Sequence, residues 1–359
     1  MKAAILKAFG SPLAIETLPD PVLGTGEVVV DVVAAGVVPY AAEVISNERP
    51  YLMELPMVLG PGAIGRVRAA GPDATRLKPG DWVSCDATVR ARDDALTPDI
   101  TLQGWTSRGE GGLKLARHFH HGAWAEQMMV PTENAIPIGA IEAVDVAKWC
   151  AIGLLLVPYG GLLAVNLQAG ETVVVSGATG NFGSAAVAVA LAMGAARVVA
   201  PGRNEAMLKE LSRRFGPRVA TAKLSGNEAE DCSRIKAAAA GPVDVVLDLL
   251  PPSVDARVVR TAAMTVREFG RIVLMGGVGM AGGDDLALPY PWIMRDGITI
   301  RGQWMYPRTA NRNMVNLIRS GLIDLDNWEV ARFSLDRANE AVAHAAKSGG
   351  PFRMTVIAP

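Results

Sequence analysis

The sequence predicts an α/β protein with a β-rich first half and a doubly wound parallel sheet in the second. Three observations predict it. The first 140 residues hold β-branched runs cut by turn signals, without long helical periodicity. After about residue 150, strand-like and helical runs alternate through short connections. The strand-like runs there are apolar throughout, which requires helices on both faces of the sheet. A chain of 359 residues suits two domains with sizeable cores.

In the first half, GEVVVDVVAAG (26–36), GRVRAAG (65–71) and DWVSCDATV (81–89) read as strands, and LKPGD (77–81) as a tight turn. Residues 90–117 are rich in charge and glycine, so a long lid-like loop is expected there. The uncharged run from Trp149 to Gly170 is long enough to span a bilayer, but it contains Pro158, Gly160, Gly161 and Asn166. It reads as buried core.

The second half opens with a buried strand, TVVVSG (172–177), then an apolar helix, SAAVAVALAMG (184–194), ending at Gly194. RVVAPG (197–202) is the next strand, and NEAMLKELSRRFG (204–216) the next helix, with Asn204 as its N-cap. A strand at 219–224, a helix at 227–240, a strand at 243–250, a helix at 254–267 and strands at 271–277 and 298–304 complete the pattern.

Composition narrows the function. With 35 basic and 36 acidic residues the net charge is -1, which gives no electrostatic reason to expect a nucleic-acid or membrane partner. Cys85, Cys150 and Cys232 are far apart and odd in number, which fits a reducing cytoplasm rather than a disulfide framework. A small-molecule substrate remains the expected partner.

ATGNFG (178–183) carries the spacing A-x-G-x-x-G between a strand and a helix. This context makes Ala178, Thr179, Gly180, Asn181, Phe182 and Gly183 a candidate dinucleotide turn. Gly180 lets backbone approach a pyrophosphate, Gly183 lets helix and strand pack closely, and the helix N-terminus offers free N–H groups. The second strand ends at Gly202-Arg203-Asn204, where an NAD site places an acid. With the acid absent, Arg203 is free to pair with a 2′-phosphate, so the expected cofactor is NADP(H). The plainer reading makes Arg203 a solvated residue at a helix start.

MKAAILKAFGSPLAIETLPDPVLGTGEVVVDVVAAGV, LPMVLGPGAIGRV, RLKPGDWV, GAWAEQMMVP, VPYGGL, the glycine turn and PFRMTVIAP follow one another in an order that resembles the medium-chain dehydrogenase/reductase superfamily over the whole chain. The resemblance implies a GroES-like catalytic domain at 1–150, a Rossmann NADP-binding domain at 151–300, and a return to the catalytic domain at 301–359. It implies an active site in a cleft between the domains, and dimers joined through the sheet edge, with 298–304 as the candidate edge. It also sends GGVGMAGG (276–283) past the nicotinamide, with Gly276 and Val278 as contacts, and places Tyr159 beside the cofactor.

Zinc members of the superfamily hold a catalytic metal with Cys, His, Glu and a further Cys or Asp. The matching positions here are Val38, Pro61, Gly62 and a place near Gly153, none of which can ligate zinc. HFHH (118–121), read as a strand, is the one alternative metal site, with Cys85 or Asp86 as further ligands. The zinc-free quinone oxidoreductases resemble A-G-V-N-P-x-D where this chain reads AAGVVPYA, so Val38 and Ala41 depart from them too.

Hydride transfer leaves negative charge on the acceptor, and without zinc a proton or hydrogen-bond donor must take it up. Tyr40 and Tyr51 are the candidate donors, since the resemblance places them where relatives keep a relay hydroxyl or a catalytic tyrosine. Both also suit simple packing roles. Arg308 is a candidate contact for a phosphate or substrate, Asp248 a buried strand-end residue, and Trp105, Trp124, Trp292 and Trp304 candidate pocket or core residues. The expected function is NADPH-dependent, zinc-independent reduction of an activated C=C bond or quinone. The alternatives are zinc-free carbonyl reduction or alcohol oxidation, and a non-catalytic NADPH-binding module.

Overall fold

The apolar and β-branched runs of the first half pair as strands in the computed structural model, which describes residues 1–359. They are β1 (Lys2–Leu6), β2 (Ala14–Thr17), β3 (Glu27–Val37), β4 (Met57–Val58), β5 (Ala63–Ala70), β6 (Trp82–Cys85), β7 (Thr88–Arg90), β8 (Ile100–Leu102), β9 (Thr106–Arg108), β10 (Gln127–Pro131) and β11 (Ala135–Pro137). Helices α1 (Ala41–Ser46) and α2 (Gly109–His118) interrupt them. β3 is the spine: it pairs antiparallel with β5 and β10, and the sheet continues from β5 through β6 to β11. Separate three-stranded sheets run β2-β1-β4 and β7-β8-β9.

Two expectations fail here for local reasons. The run 81–89 is two strands rather than one, because Asp86 Oδ1 accepts the Thr88 backbone N–H at 2.8 Å and turns the chain. The stretch 90–117 is not a long loop: it holds β8, β9 and α2. Its glycines serve close packing. A Cβ on Gly112 would lie 2.4 Å from the Ile100 carbonyl oxygen, and one on Gly111 2.0 Å from an Asp99 carboxylate oxygen.

In the second half, α3 (Ile152–Ala164) leads into β12 (Thr172–Ser176), α4 (Asn181–Ala192), β13 (Arg197–Gly202), α5 (Glu205–Phe215), β14 (Val219–Lys223), α6 (Glu228–Ala239), β15 (Val243–Asp248), α7 (Ala256–Ala263), β16 (Val266–Leu274), α8 (Tyr290–Arg295), β17 (Thr299–Gly302) and α9 (Thr309–Arg319). The six strands are all parallel, in the order β14-β13-β12-β15-β16-β17. This is the doubly wound dinucleotide-binding order, with its switch point between β12 and β15. Val174, Val199, Val246 and Ile272 from four strands share one core with Ile235 and Ala262 from the covering helices. The apolar stretch Val146–Ala164 is long enough to cross a membrane, but most of it is buried inside the protein.

The chain then adds β18 (Glu329–Ser334), α10 (Ala338–Ser348) and β19 (Arg353–Ala358). β19 pairs with β3 and β18 with β19, so the C-terminus extends the first sheet. Two units result: Met1–Gly153 with Trp328–Gly349 and Arg353–Pro359, and Leu154–Asn327 with Gly350–Phe352. The return therefore starts later than the expected residue 301, and α9 belongs to the nucleotide-binding unit. The return begins only at Trp328, just ahead of β18, the first segment after β17 to join the first unit's sheet.

Candidate active site

The dinucleotide turn follows β12. Gly177 adopts φ +89°, a conformation that favours glycine, and redirects the chain into α4. Gly183 is where the fit is tightest: a Cβ there would lie 1.9 Å from the Gly177 carbonyl oxygen. Helix α4 starts at Asn181, three residues before the expected Ser184, with Gly180 as a cap that contributes no side-chain bond. Its first N–H groups therefore face outward as an anion site. Ala178 is buried, while Thr179 and Phe182 are half-buried. Asn181 donates Nδ2–H to the Gly350 carbonyl at 3.2 Å, and its buried Oδ1 has no partner. These residues fit a pyrophosphate.

Gly202 closes β13, and a Cβ there would lie 2.8 Å from Thr179 Cγ2. A side chain at this position would therefore crowd Thr179 and Leu208. Arg203 is exposed. Asn204 caps α5 as expected, its side-chain oxygen accepting from the Ala206 and Met207 N–H groups at 3.1 and 3.2 Å. Lys223, which sequence reading passed over, lies across from Gly202 in the β13–β14 register and pairs with Glu205. The signal available was a lysine ending the strand beside the second strand of the fold.

Asp248 ends β15 at the switch-point side of the sheet, only 3% exposed. Burial pushes its carboxyl up to about 7, against hydrogen bonds from the Leu250 N–H, the Ser176 hydroxyl and the Gly276 N–H. Its Oδ1 has no partner. A Cβ on Gly276 would meet Asp248 Oδ2 at 2.4 Å, so this glycine is required by the carboxyl beneath it. Val278 lies half-buried in the loop beyond. Tyr159, in α3, is buried and bonded to Asn313. Asp244 is structural, accepting from Thr172 N–H at 2.8 Å and Arg267 Nε at 2.6 Å. Arg308 immediately precedes α9. Trp304 is 40% exposed and Trp292 packs against the sheet core.

In the first unit, Tyr40 and Tyr51 are brought together. Their rings stand edge to face at 6.5 Å, and each meets Trp105 at 6.2 and 6.3 Å. Trp105 in turn meets Trp124 at 6.1 Å, and both indoles are fully buried. Arg49 lies over the Tyr40 ring, 4.1 Å from its centroid. Tyr40 retains some exposed surface, yet burial is the main reason its hydroxyl is held far above the ordinary phenol range, with Tyr51 adding to the effect. Trp105 Nε1 has no acceptor at full hydrogen-bond distance, but its N–H still favours the Tyr40 oxygen slightly.

The histidine run does not build the strand expected of it. His118 ends α2 and bonds Glu27 at 2.6 Å, while His120 Nε2 meets the Pro56 carbonyl at 2.8 Å. His121 is lowered to about 4 by burial and by His120, and its Nδ1 has no partner. Burial pushes the Cys85 thiol up to about 12, so it is a poor thiolate ligand. No three His, Cys, Asp or Glu side chains gather closely enough to hold a metal ion.

Residues 24–140 match the alcohol dehydrogenase GroES-like domain, and residues 182–320 the zinc-binding dehydrogenase family. The chain belongs to the medium-chain dehydrogenase/reductase superfamily and is an oxidoreductase of that group. Among its relatives, an alcohol dehydrogenase of Moraxella sp. (strain TAE123) is 26% identical over 90% of each chain. An acryloyl-coenzyme A reductase of Metallosphaera sedula is 28% identical over 90% of each chain. A solved structure from Sinorhizobium meliloti 1021, assigned to the zinc-binding dehydrogenases and bound to NADP, shares the fold, with a TM-score of 0.80 at 20% identity over 100% of this chain and 99% of that one.

Proposed function

We propose that this protein is an NADPH-dependent reductase of activated C=C bonds, quinones included, that works without catalytic zinc. The observation that carries the reading is the pairing of Tyr40 with Tyr51 in a unit whose zinc-ligand positions hold Val38, Pro61, Gly62 and Gly153. The likeness to an acryloyl-coenzyme A reductase supports C=C chemistry. The likeness to alcohol dehydrogenases keeps carbonyl reduction as the second reading.

The bound cofactor would supply hydride. The chain's own part is to hold its pyrophosphate on the α4 N-terminus and its 2′-phosphate at Arg203, with Lys223 as a second cation. Gly202 carries no acid for the ribose hydroxyls of NAD, and a Cβ there would crowd Thr179. Tyr40 and Tyr51 supply the proton that the reduced acceptor needs. We further propose a homodimer joined through β17, an edge strand with every residue exposed. The three unpaired thiols suit the cytoplasm, where we place the protein.

The test compares NADPH oxidation with 2-cyclohexenone, a benzoquinone and cyclohexanone. A saturated ketone from the enone supports the reading. Turnover of cyclohexanone alone, or an allylic alcohol with its C=C retained, replaces it with carbonyl reduction.

A further inference from the structure

We propose that the segment Gly350–Phe352 braces the pyrophosphate end of the nucleotide site, with Phe352 and Ser184 as the positioning residues through which it acts. This rests on the cofactor reading above. It gives a role to a segment that begins 169 residues beyond the Asn181 it touches.

The chain comes out of α10, contributes only Gly350, Pro351 and Phe352 to the nucleotide-binding unit, and leaves again into β19. Both ends of this short segment are bonded to the first turn of α4. The Gly350 carbonyl accepts Asn181 Nδ2–H at 3.2 Å, and Asn181 is the first residue of the helix. The Phe352 N–H donates to Ser184 Oγ at 3.3 Å, and the Ser184 hydroxyl donates in turn to the Asn181 carbonyl at 2.9 Å. Ser184 is fully buried, so no bulk water replaces the segment as its partner.

The segment is held down by its ring. Phe352 is 2% exposed, with the Arg214 guanidinium 4.3 Å from its centroid and the Phe215 ring at 5.6 Å. Arg214 is itself fixed, by Glu210 at 2.5 Å and by the Asn327 carbonyl. These contacts offset the Phe352 backbone, which sits at φ +61°, a conformation that disfavours a residue with a Cβ. The bonds to Asn181 and Ser184 exist only while the ring is seated. Seating the ring therefore fixes the turn whose outward N–H groups would hold the pyrophosphate. An anion there gains from a turn already in place, and by linkage its binding holds the segment down to the same extent.

Two ligands separate this role from a general loss of fold. NADPH uses the pyrophosphate site. The probe 2′-AMP carries adenine and a 2′-phosphate but no pyrophosphate. In calorimetric titration of the full chain, Phe352→Ala weakens NADPH about ten-fold and Ser184→Ala about three-fold, while 2′-AMP affinity stays unchanged in both. Hydrogen exchange read on peptides gives a second readout. NADPH slows exchange across 350–353 in the wild-type chain. In the ligand-free chain, Phe352→Ala speeds exchange at the start of α4, where the Ser184 N–H donates to the Gly180 carbonyl at 2.9 Å. Unchanged NADPH affinity in both variants overturns the proposal, and so does a strap whose exchange ignores NADPH. An equal loss of NADPH and 2′-AMP also overturns it, since that marks a structural role alone. If Phe352→Ala does not fold, Ser184→Ala decides, because it removes one hydroxyl and no packing. If the wild-type chain binds neither ligand, the cofactor reading fails, and exchange in the ligand-free variants still decides whether the segment braces α4.

Discussion

Gly202 is the residue on which the proposed preference for NADPH turns. Its place at the end of β13 normally holds an acid in NAD enzymes, and a Cβ there would meet Thr179 Cγ2 at 2.8 Å. Arg203→Ala should weaken NADPH binding by about ten-fold or more while leaving NADH nearly unchanged, measured by titration calorimetry. Gly202→Asp alone should not create NADH binding, whereas combining it with Thr179→Ala should improve NADH binding, because the steric block is then relieved. Equal losses for both nucleotides in Arg203→Ala would remove the 2′-phosphate from the account. The glycine turn and the Asn204 cap were legible in the sequence, since both are local signals. Thr179's steric part was not, because it crosses between two strand ends. Arg49 was also hidden: its seat on Tyr40 depends on a turn after α1 that no spacing announces. The histidine run reads as a weak alternative ligand cluster, and in the fold His118 turns to Glu27 and His120 to the Pro56 carbonyl.

The elements of the parallel sheet were the most legible because each apolar run is bounded by a cap or a glycine, as at Asn204 and Gly194. The α2 region was not, because glycines that permit contact with Ile100 and Asp99 look in sequence like glycines that permit flexibility. Gly183→Ala should therefore be felt on two levels, with lost nucleotide binding and a lower Tm, because its Cβ would overlap the Gly177 carbonyl. The end of β15 carries a pH signature. The Asp248 carboxyl sits at about 7 in the folded chain against an ordinary 3.8. Between those values the unfolded chain has released this proton and the native chain still holds it. Stability should therefore fall as pH rises from about 4 to 7 and level off above, at roughly 1.4 kcal/mol per unit at most. Asp248→Asn, which mimics the neutral acid, should flatten that part of a urea-unfolding pH series. An unchanged slope would mean that the carboxyl is ionised in the folded protein throughout.

At the scale of the whole molecule, the exposed edge strand β17 and the exposed Tyr290 and Met294 of α8 in the same unit predict self-association. Light scattering should give a mass near twice the 37.7 kDa of one chain, and Ile300→Lys should shift it toward one. A monomeric wild-type chain at micromolar concentration would contradict this. The central claim is that hydride and proton reach the acceptor without a metal. The most direct measurement is turnover of NADPH with 2-cyclohexenone before and after exhaustive dialysis against a chelator, with metal content and product determined on the same samples. The account predicts full activity in metal-free protein and cyclohexanone as product. Activity that disappears with the chelator and returns with added zinc would contradict it.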